Sequence, residues 1–536
     1  MLSFQEIGLL ESQRLESQDK LDSRQDCDTR NKLGQFATPS FLAGEILNFA
    51  KNLFLPKEKI RFLDPAFGTG AFFAALLRTF PNSQISSARG FEIDPLYGGE
   101  AQKLWSPAPL LLKIADFTKL PPPSLDNNKA NLIICNPPYV RHHHLSNEEK
   151  LRLQFIVKQA TGKRMNGLAG LYCYFLLLAD AWLAKGGLAG WLIPSEFMEV
   201  NYGEQIKNYL LHDVTLLRIH RFDPRDVQFQ DAMVSSAVVW FKKAKPAPNY
   251  SVEFTYGGTL LKPDISRDIS SAVLDKTSKW TSFPLNRSQS IGDSITAFDK
   301  SGLKLSDLFI VKRGIATGAN KFFILAPELI SQYELPAEFL TPILPSPRCL
   351  TRDEIEGDEQ GIPIIEKKLF LLNCKLKEKE VEEKYPFLWT YLQAGMKEGI
   401  HERYLCQHRS PWYLQETRPP SPILCTYMGR SFSKSNKPFR FILNQSNATA
   451  PNVFLMLYPR KHLSVILNNR PELLRTIWLT LNQISQETLF DEGRVYGGGL
   501  HKLEPNELAN VSISINGIAS LLPDFKKKSA RQISLF

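Results

Sequence analysis

The sequence predicts an α/β protein of two domains, and three observations lead to this prediction. At 536 residues the chain is too long for one ordinary hydrophobic core. As far as about residue 241, short apolar runs alternate with helical stretches, which predicts a mostly parallel sheet with helices on both faces. The segment 242–251 then breaks this alternation with prolines and lysines, and the chain beyond it is less regular. We therefore expect an α/β domain, a linker, and a second domain that is mixed α/β or mainly β.

Periodicity assigns the elements of the first domain in chain order. The expected strands are KIRFLDPA, SARGFEID, ANLIICNPPY, GGLAGWLIP, VTLLRIHRF and SSAVVWF. The expected helices are AGEILNFAKNLF, GAFFAALLRTF and LYCYFLLLADAWLAK. The resulting divisions are an N-terminal helical arm at 1–30, an α/β domain at 31–245, a second domain at 246–530 and a flexible tail at 531–536.

Composition limits the class of protein and its partners. A hydrophobic fraction of 43% and a charged fraction of 22% are typical of a globular protein, and no apolar run is long enough to span a bilayer. The N-terminus has neither a basic start nor an apolar core, so we expect no secretory signal, and the seven cysteines form no CxxC pair. We therefore expect a cytoplasmic protein with no metal site and no disulfide framework. The net charge of +10 favours a polyanionic partner such as nucleic acid.

The motif Asn136-Pro137-Pro138-Tyr139 follows the apolar run LIIC, so it is expected at the carboxyl end of a strand, where open α/β sheets bind ligands. An aromatic amino nitrogen, such as adenine N6, is a poor nucleophile because its lone pair is delocalised into the ring. The Asn136 side-chain oxygen and the Pro137 carbonyl are two acceptors for its hydrogens, and they would stabilise the positive charge that develops on attack. The prolines stiffen the loop, and Tyr139 offers a ring on which an extruded base can stack.

Three further motifs precede this tetrapeptide, and the first two lie at expected strand ends. The segment Asp64–Gly70 (DPAFGTG) forms a glycine-containing turn from strand to helix, which allows a ligand to approach the backbone closely. Glu92 then ends the next strand, where an acidic residue binds ribose hydroxyls in nucleotide folds. The pair Asp116-Phe117 provides an acceptor for an adenine amino group beside an aromatic ring. Carboxylates at strand ends are common, so it is their order, followed by NPPY, that indicates a nucleotide-like cofactor.

With these motifs in place, residues 1–241 resemble the gamma class of amino-methyltransferases, the TaqI-type adenine-specific DNA methyltransferases. In that family a cofactor-closing motif precedes the glycine-rich one, and Gly34–Pro39 (GQFATP) matches it. The resemblance implies a Rossmann-like domain that depends on S-adenosylmethionine. The residues that it places at the cofactor are Thr38, Pro39, Asp64, Ala66, Gly68, Gly70, Glu92, Asp116 and Phe117, with Phe175 as a further aromatic. The residues that it places at the target base are Asn136, Pro137, Pro138, Tyr139 and Phe229. A core phenylalanine is the alternative for Phe229, since its spacing is one residue longer than in the TaqI enzyme.

The second half resembles the target-recognition region of longer members of the same class. The matching pieces are Lys312–Gly318 (KRGIATG), Ser446–Arg460 (SNATAPNVFLMLYPR) and Tyr496–Leu500 (YGGGL). The resemblance implies methylation of adenine N6 in double-stranded DNA by a protein that is monomeric on DNA and has a separate restriction endonuclease as its partner.

Several alternatives stay open at this point. The target amino group can instead be cytosine N4, a guanine of ribosomal RNA or a protein glutamine, and a non-catalytic DNA specificity subunit is a rival of another class. His142–His144 is interpreted as a solvent-facing or DNA-backbone segment rather than a metal site. Gln532–Phe536 (QISLF) resembles the peptide by which bacterial replication proteins bind the sliding clamp, with a frayed terminus or a last strand as the alternative.

Overall fold

The computed structural model describes residues 2–24, 29–30, 33–223, 228, 235–285, 303–430, 437–496 and 500–513. These residues form two compact units. The first comprises the described residues up to 285 and the second those from 303 onward, except that Tyr496 is grouped with the first.

In the first unit, helices and strands alternate as the periodicity predicts. The helices are α1 (Phe4–Asp22), α2 (Ser40–Leu53), α3 (Ala71–Thr79), α4 (Pro95–Leu104), α5 (Asn147–Thr161), α6 (Leu171–Ala179), α7 (Glu204–His212) and α8 (Ser271–Lys276). The strands are β1 (Ile60–Asp64), β2 (Ile85–Glu92), β3 (Leu110–Ile114), β4 (Ala130–Cys135), β5 (Leu183–Pro194), β6 (Thr215–Arg221), β7 (Ser236–Lys242), β8 (Ser251–Tyr256) and β9 (Ile265–Ser270).

The nine strands described in this unit form one sheet in the order β3-β2-β1-β4-β5-β7-β6-β8-β9. The strands β1 to β5 pair in parallel, and β7 is antiparallel to both β5 and β6. The strand order reverses between β1 and β4, and open α/β sheets bind ligands at the carboxyl ends of strands beside such a reversal. The prediction of a Rossmann-like α/β fold is therefore confirmed.

Apolar side chains from successive residues of the central strands enter two separate cores. In β1, Phe62 packs into one core and Leu63 into the other, and in β4, Leu132 and Ile133 divide in the same way. This alternation follows from the period of two in a strand. Helices cover both faces of the sheet, so both sets of side chains are buried, and the central strands have almost continuous apolar sequences.

Several elements differ from the assignments made from the sequence, and helices α4, α5 and α7 were not predicted. The strand β3 was not predicted, and its sequence LLLKI is partly exposed at the edge of the sheet. The helix expected over LYCYFLLLADAWLAK ends at Ala179, and β5 already begins at Leu183, which pairs with Ala130 of β4. The apolar run continues through this helix-to-strand junction, and hydrophobicity alone therefore does not reveal it.

The domain boundary expected at 245/246 is also displaced. The segment 242–251 joins β7 to β8, and β8 then pairs in parallel with β6 and antiparallel with β9 in the same sheet. Val252 and Phe254 of β8 are fully buried in the core that also contains Leu63 and Ile133. Prolines and lysines correctly indicate a loop here, but composition does not tell whether the following strand rejoins the sheet that precedes it.

The second unit is mixed α/β. Its helices are α9 (Leu305–Leu308), α10 (Asn320–Phe323), α11 (Pro327–Gln332), α12 (Glu378–Lys384), α13 (Pro386–Lys397), α14 (Tyr404–Gln407), α15 (Lys461–Asn469), α16 (Leu473–Asn482), α17 (Gln486–Glu492) and α18 (Pro505–Asn510). Its strands are β10 (Leu303–Lys304), β11 (Phe309–Arg313), β12 (Ile324–Leu325), β13 (Leu340–Pro342), β14 (Glu354–Ile355), β15 (Phe370–Leu372), β16 (Ile423–Thr426), β17 (Met428–Arg430), β18 (Phe441–Asn444), β19 (Phe454–Pro459), β20 (Arg494–Tyr496), β21 (Leu500–Lys502) and β22 (Ser512–Ile513). A five-stranded sheet, β11-β19-β16-β18-β14, forms its centre, and the other described strands form small two- and three-stranded sheets.

Among the described helices of both units, none combines the length and the apolar character needed to cross a membrane.

The extent of the nine-stranded sheet predicts where the chain can be divided. A fragment of residues 1–245 lacks β8 and β9, and it loses the burial of Val252 and Phe254, each worth about 1.5–3 kcal/mol. We expect it to aggregate or to unfold well below a fragment of residues 1–285 in a thermal scan followed by circular dichroism. Equal unfolding temperatures for two soluble fragments would show that the last two strands are dispensable.

Candidate active site

Four polar residues lie side by side at the carboxyl edge of the sheet. Asp64 and Glu92 end β1 and β2, whereas Asp116 and Asn136 lie just beyond β3 and β4. Because these strands are neighbours in the order β3-β2-β1-β4, the sheet brings together residues that are up to 72 positions apart in the sequence. The sequence predicted Asp64, Glu92 and Asn136 at strand ends, and the structure has them there, whereas the strand before Asp116 was not predicted.

The turn after β1 is held open by hydrogen bonds to the two acidic residues. The Ala66 amide donates to Asp64 Oδ1 at 3.1 Å, and the Gly68 amide donates to Glu92 Oε2 at 2.7 Å. Gly68 and Gly70 both have positive φ angles, +56° and +95°. A Cβ atom on Gly70 would collide with the rings of Trp105 and Phe67, whereas a Cβ atom on Gly68 would meet nothing within 4 Å. Gly68 therefore borders open space, as is needed where a ligand approaches the backbone.

Burial raises the pKa of both acidic residues. Burial raises the pKa of Asp64 to about 8, and the nearby Glu92 carboxylate acts in the same direction. Burial also raises the pKa of Glu92, with the Asp94 carboxylate adding to the effect and amide hydrogen bonds opposing it. Because burial raises the pKa of both carboxyl groups, a cationic ligand bound beside them would stabilise their charged forms.

Asp116 and Phe117 have structural contacts that the sequence did not indicate. Asp116 Oδ1 accepts hydrogen bonds from the amide and hydroxyl of Thr118, at 2.9 and 2.7 Å, and so caps a short 3₁₀ turn. The Phe117 ring is 3% exposed and lies 5.4 Å from the ring of Phe175. The structure thus brings the two expected adenine-facing aromatics together, but both lie within the core.

The Asn136 side chain is fixed by its nitrogen, and its oxygen has no partner. Its Nδ2 donates to the Phe36 carbonyl at 3.0 Å and to Thr38 Oγ1 at 3.1 Å. Asn136 Oδ1 is buried and accepts no hydrogen bond in the described part of the chain. Leaving a buried acceptor unbonded costs about 1–3 kcal/mol, so such an atom calls for an explanation.

The GQFATP segment packs directly on the NPPY loop, although the two are about 100 residues apart in the sequence. The Tyr139 amide donates to the Gly34 carbonyl at 3.1 Å, and the Phe36 and Tyr139 ring centroids are 5.5 Å apart. A Cβ atom on Gly34, whose φ is +67°, would overlap the backbone of Tyr139 and Val140. Only glycine therefore allows this close approach.

The sequence led us to expect an accessible Tyr139 ring on which a base can stack, but the structure buries it. Its side chain is 7% exposed, and its hydroxyl donates to the Leu192 carbonyl of β5 at 3.0 Å. Burial raises the pKa of the Tyr139 hydroxyl well above its usual range. Phe229, the expected second platform, lies outside the described residues.

The remaining site residues show what sequence reasoning found and missed. Pro137 and Pro138 lie between Asn136 and Tyr139 in an irregular loop, and Pro39 precedes α2. The sequence placed Thr38 beside the cofactor, but it gave no signal that the Thr38 hydroxyl binds Asn136. The short turn His142–His144 is not buried, and no group of potential metal ligands was found among the described residues.

The second unit contains a cavity of about 760 Å³ of its own. Three rings and several polar side chains surround it, among them Asn320, Lys321, Phe322, Tyr391 and Arg403. The Phe322 and Tyr391 rings are stacked with centroids 4.6 Å apart. The cavity adjoins the predicted KRGIATG segment, whose last residues, Ala316 and Gly318, form part of its wall.

Two protein-family models match this chain. One, described as Eco57I restriction-modification methylase, matches residues 96–228. The other, described as the C-terminal domain of the Type II methyltransferase M.Eco57I, matches residues 277–533. Together the two models match more than half of the chain. The chain is a restriction-modification DNA methyltransferase.

This methylase is also similar to individual Type II methyltransferases. M.AccI of Acinetobacter calcoaceticus is 27% identical over 509 residues, which cover 89% of this chain and 85% of that protein. M.XamI of Xanthomonas campestris pv. amaranthicola is 27% identical over 464 residues, covering 84% of this chain and 80% of that protein. Among solved structures, the Type IIL enzyme MmeI in complex with DNA aligns with a TM-score of 0.49 at 12% identity, covering 88% of this chain and 63% of that chain. The matches to two methylase domain models and to Type II methyltransferases over most of the chain agree with this activity.

The raised pKa of Asp64 predicts a pH-dependent stability of this methylase. The folded state retains the Asp64 proton up to about pH 8, whereas an unfolded chain releases it near 3.8, so the free energy of unfolding falls as the pH rises between these values. Asp64→Asn keeps an acceptor for the Ala66 amide but has no proton to lose. We expect its melting temperature to rise relative to that of the wild type as the pH is raised from 5 to about 8, in scanning calorimetry without ligand. If the melting temperatures of the two proteins changed with pH in the same way, the raised pKa of Asp64 would be contradicted.

Proposed function

We propose that this protein transfers a methyl group from S-adenosylmethionine to N6 of an adenine that is rotated out of duplex DNA. The observation that carries the proposal is the buried, unbonded Oδ1 of Asn136. An exocyclic amino group carries two hydrogens, and one of them would satisfy this acceptor. The Asn136 amide cannot turn to offer its nitrogen instead without breaking its bonds to Phe36 and Thr38.

The residues at the edge of the sheet fit S-adenosylmethionine. Gly68 borders open space beside the turn, and the buried Asp64 and the Glu92 carboxyl would gain from a positively charged ligand. When bound, S-adenosylmethionine supplies an electrophilic methyl carbon on a positively charged sulfur. Asp64, Ala66, Gly68, Gly70 and Glu92 would hold it beside the turn. The positions of Thr38, Pro39, Asp116 and Phe117 at the cofactor rest on the family resemblance.

Asn136 and Pro137 would activate the target nitrogen by accepting its hydrogens. Two acceptors in the plane of these hydrogens draw electron density toward nitrogen, and they stabilise the positive charge that forms there during attack. The environment strengthens the effect because a hydrogen bond shielded from water is stronger than an exposed one. Pro138 limits the freedom of the loop, so that the Pro137 carbonyl keeps its direction.

Stacking would hold the extruded base between Tyr139 and Phe229. Enzymes that modify a base within a duplex bring it out of the stack and bind it against aromatic rings. Since 7% of the Tyr139 side chain is exposed, a base reaches its ring only if a neighbouring group moves, and Phe36 is such a neighbour. The proposal therefore includes a local rearrangement on DNA binding.

The cavity of the second unit is proposed as part of the DNA-recognition surface. Lys321 and Arg403 are both exposed at its wall, where they can contact phosphates. Asn320 Oδ1 accepts from the Thr317 hydroxyl at 2.6 Å, which leaves its amide hydrogens for a base edge. We also propose that the protein acts as a monomer on DNA and that its partner endonuclease is a separate protein. The clamp-binding role suggested for Gln532–Phe536 concerns a segment outside the described residues.

Asn136→Ala tests the proposed catalytic residue. We expect the rate of tritiated methyl transfer to duplex DNA to fall by about 10²-fold or more, as for the loss of one acceptor in a dry site, with cofactor binding retained. Asn127→Ala changes an exposed asparagine just before the same strand, and it should leave the rate unchanged. A rate for Asn136→Ala within a fewfold of the wild type would remove Asn136 from the mechanism.

Lys321→Ala tests the proposed DNA surface. We expect weaker binding to duplex DNA. The slope of log affinity against log salt concentration should also decrease in magnitude by about one, as for one lost phosphate contact. Lys461→Ala is the matched control, because Lys461 is exposed at the start of α15 and does not line the cavity. Identical salt dependence of the two variants in fluorescence anisotropy would place the DNA elsewhere.

A further inference from the structure

The N-terminal helix α1 buries a charged pair although most of its side chains are exposed. Its buried residues are Ile7, Glu11, Arg14 and Leu21. Arg14 is 1% exposed and Glu11 5% exposed, which is rare for these residue types unless they are paired. Neither family model reaches this helix, since the first begins at residue 96.

The buried pair binds two separate segments of the active site. Arg14 and Glu11 form a two-pronged ion pair, with Nε–Oε2 and Nη2–Oε1 distances of 2.7 and 2.9 Å. Arg14 Nη1 then donates to Thr69 Oγ1 at 3.1 Å, and Nη2 donates to Ser40 Oγ at 3.0 Å. Ser40 directly follows Thr38-Pro39, whereas Thr69 lies between the two glycines of the turn after β1.

A second side chain of α1 bonds to the same threonine. The Thr69 hydroxyl donates to Gln18 Oε1 at 2.6 Å while it accepts from Arg14. The Thr69 carbonyl accepts from Trp105 Nε1 at 2.9 Å. Thr69 is therefore bonded through both its side chain and its backbone. Glycines on either side give the turn little shape of its own, so these bonds, together with the bond from the Gly68 amide to Glu92, determine where Gly68 lies.

We infer that α1 is a positioning element of the cofactor site, and that Arg14 and Gln18 are positioning residues that act through Thr69. This inference rests on the proposed use of S-adenosylmethionine. Arg14 is within hydrogen-bond distance of both Ser40 and Thr69, so α1 fixes the distance between the segment that orients Asn136 and the turn that borders the cofactor.

A consequence of this arrangement is reciprocal coupling. If docking of α1 improves cofactor binding, then cofactor binding must stabilise docked α1 by the same free energy. Amide hydrogens of residues 4–22 should therefore exchange more slowly when S-adenosylhomocysteine, which has the same adenosine and amino-acid parts, is bound. This measurement needs only the wild-type protein.

Gln18→Ala in the full-length protein, with Gln13→Ala as its control, tests the inference by mutation. Gln13 is exposed on the same helix, so the two positions share a residue type and differ in the bonds of Gln18 to Thr69 and to Asp22 on its own helix. We expect Gln18→Ala to raise the calorimetric Kd and the KM for S-adenosylmethionine about three- to tenfold, as for one lost hydrogen bond, with kcat unchanged. Gln13→Ala should match the wild type.

Thr69→Val separates a positioning effect from a general loss of stability. It keeps the shape of Thr69 and removes the hydroxyl that both Arg14 and Gln18 bind. The double variant Gln18→Ala/Thr69→Val should bind the cofactor no more weakly than Thr69→Val alone, because both substitutions remove the same bond. Additive effects, equal effects of Gln18→Ala and Gln13→Ala, or unchanged exchange of α1 would each overturn the inference. Absence of cofactor binding by the wild type would instead overturn the proposed function.

Discussion

The Asn136 amide is held by two hydrogen bonds from its nitrogen, to the Phe36 carbonyl and to the Thr38 hydroxyl, and the chemistry proposed for the site depends on this constraint. A freely rotating amide would present either a donor or an acceptor to a ligand. Here the nitrogen is committed, so the buried oxygen is the atom that remains to be satisfied. Its unmet hydrogen-bonding capacity costs stability in the free protein, and a ligand that donates a hydrogen regains it. Stability given up at a binding site in this way is a common feature of functional sites.

The surrounding fold serves to keep that amide in place. The parallel strands β1 to β4 set the line of polar residues, because a parallel sheet brings all its carboxyl ends to one edge. Gly34 lets the segment that contains Phe36 and Thr38 approach the NPPY loop more closely than any other residue would allow. The buried Arg14 connects the start of α2, two residues beyond Thr38, to the turn after β1. The acceptor and the proposed cofactor turn are thus parts of one hydrogen-bonded frame.

The sequence predicts the strand ends well and the contacts between distant segments poorly. Asp64, Glu92 and Asn136 could be placed because each follows a short apolar run, and a buried strand that ends in polar residues leaves few alternatives. The bond from Asn136 to Thr38 joins residues 98 positions apart, and the burial of Tyr139 depends on β5, so neither has a local signal. The boundary at 245/246 was wrong for a similar reason, since whether a strand rejoins a sheet depends on an edge formed much earlier in the chain. Arg14 resembles any other charge on a polar helix, and only tertiary packing reveals that it is buried.

The identity of the methylated atom is the central claim, and nucleoside analysis tests it most directly. Duplex DNA of mixed sequence would be incubated with the full-length protein and S-adenosylmethionine carrying a deuterated methyl group, digested to nucleosides, and examined by liquid chromatography with mass spectrometry. The account predicts deuterated N6-methyldeoxyadenosine as the labelled product, and its loss in Asn136→Ala. Label in N4-methyldeoxycytidine, or in RNA or protein offered in parallel while DNA stays unlabelled, would contradict it.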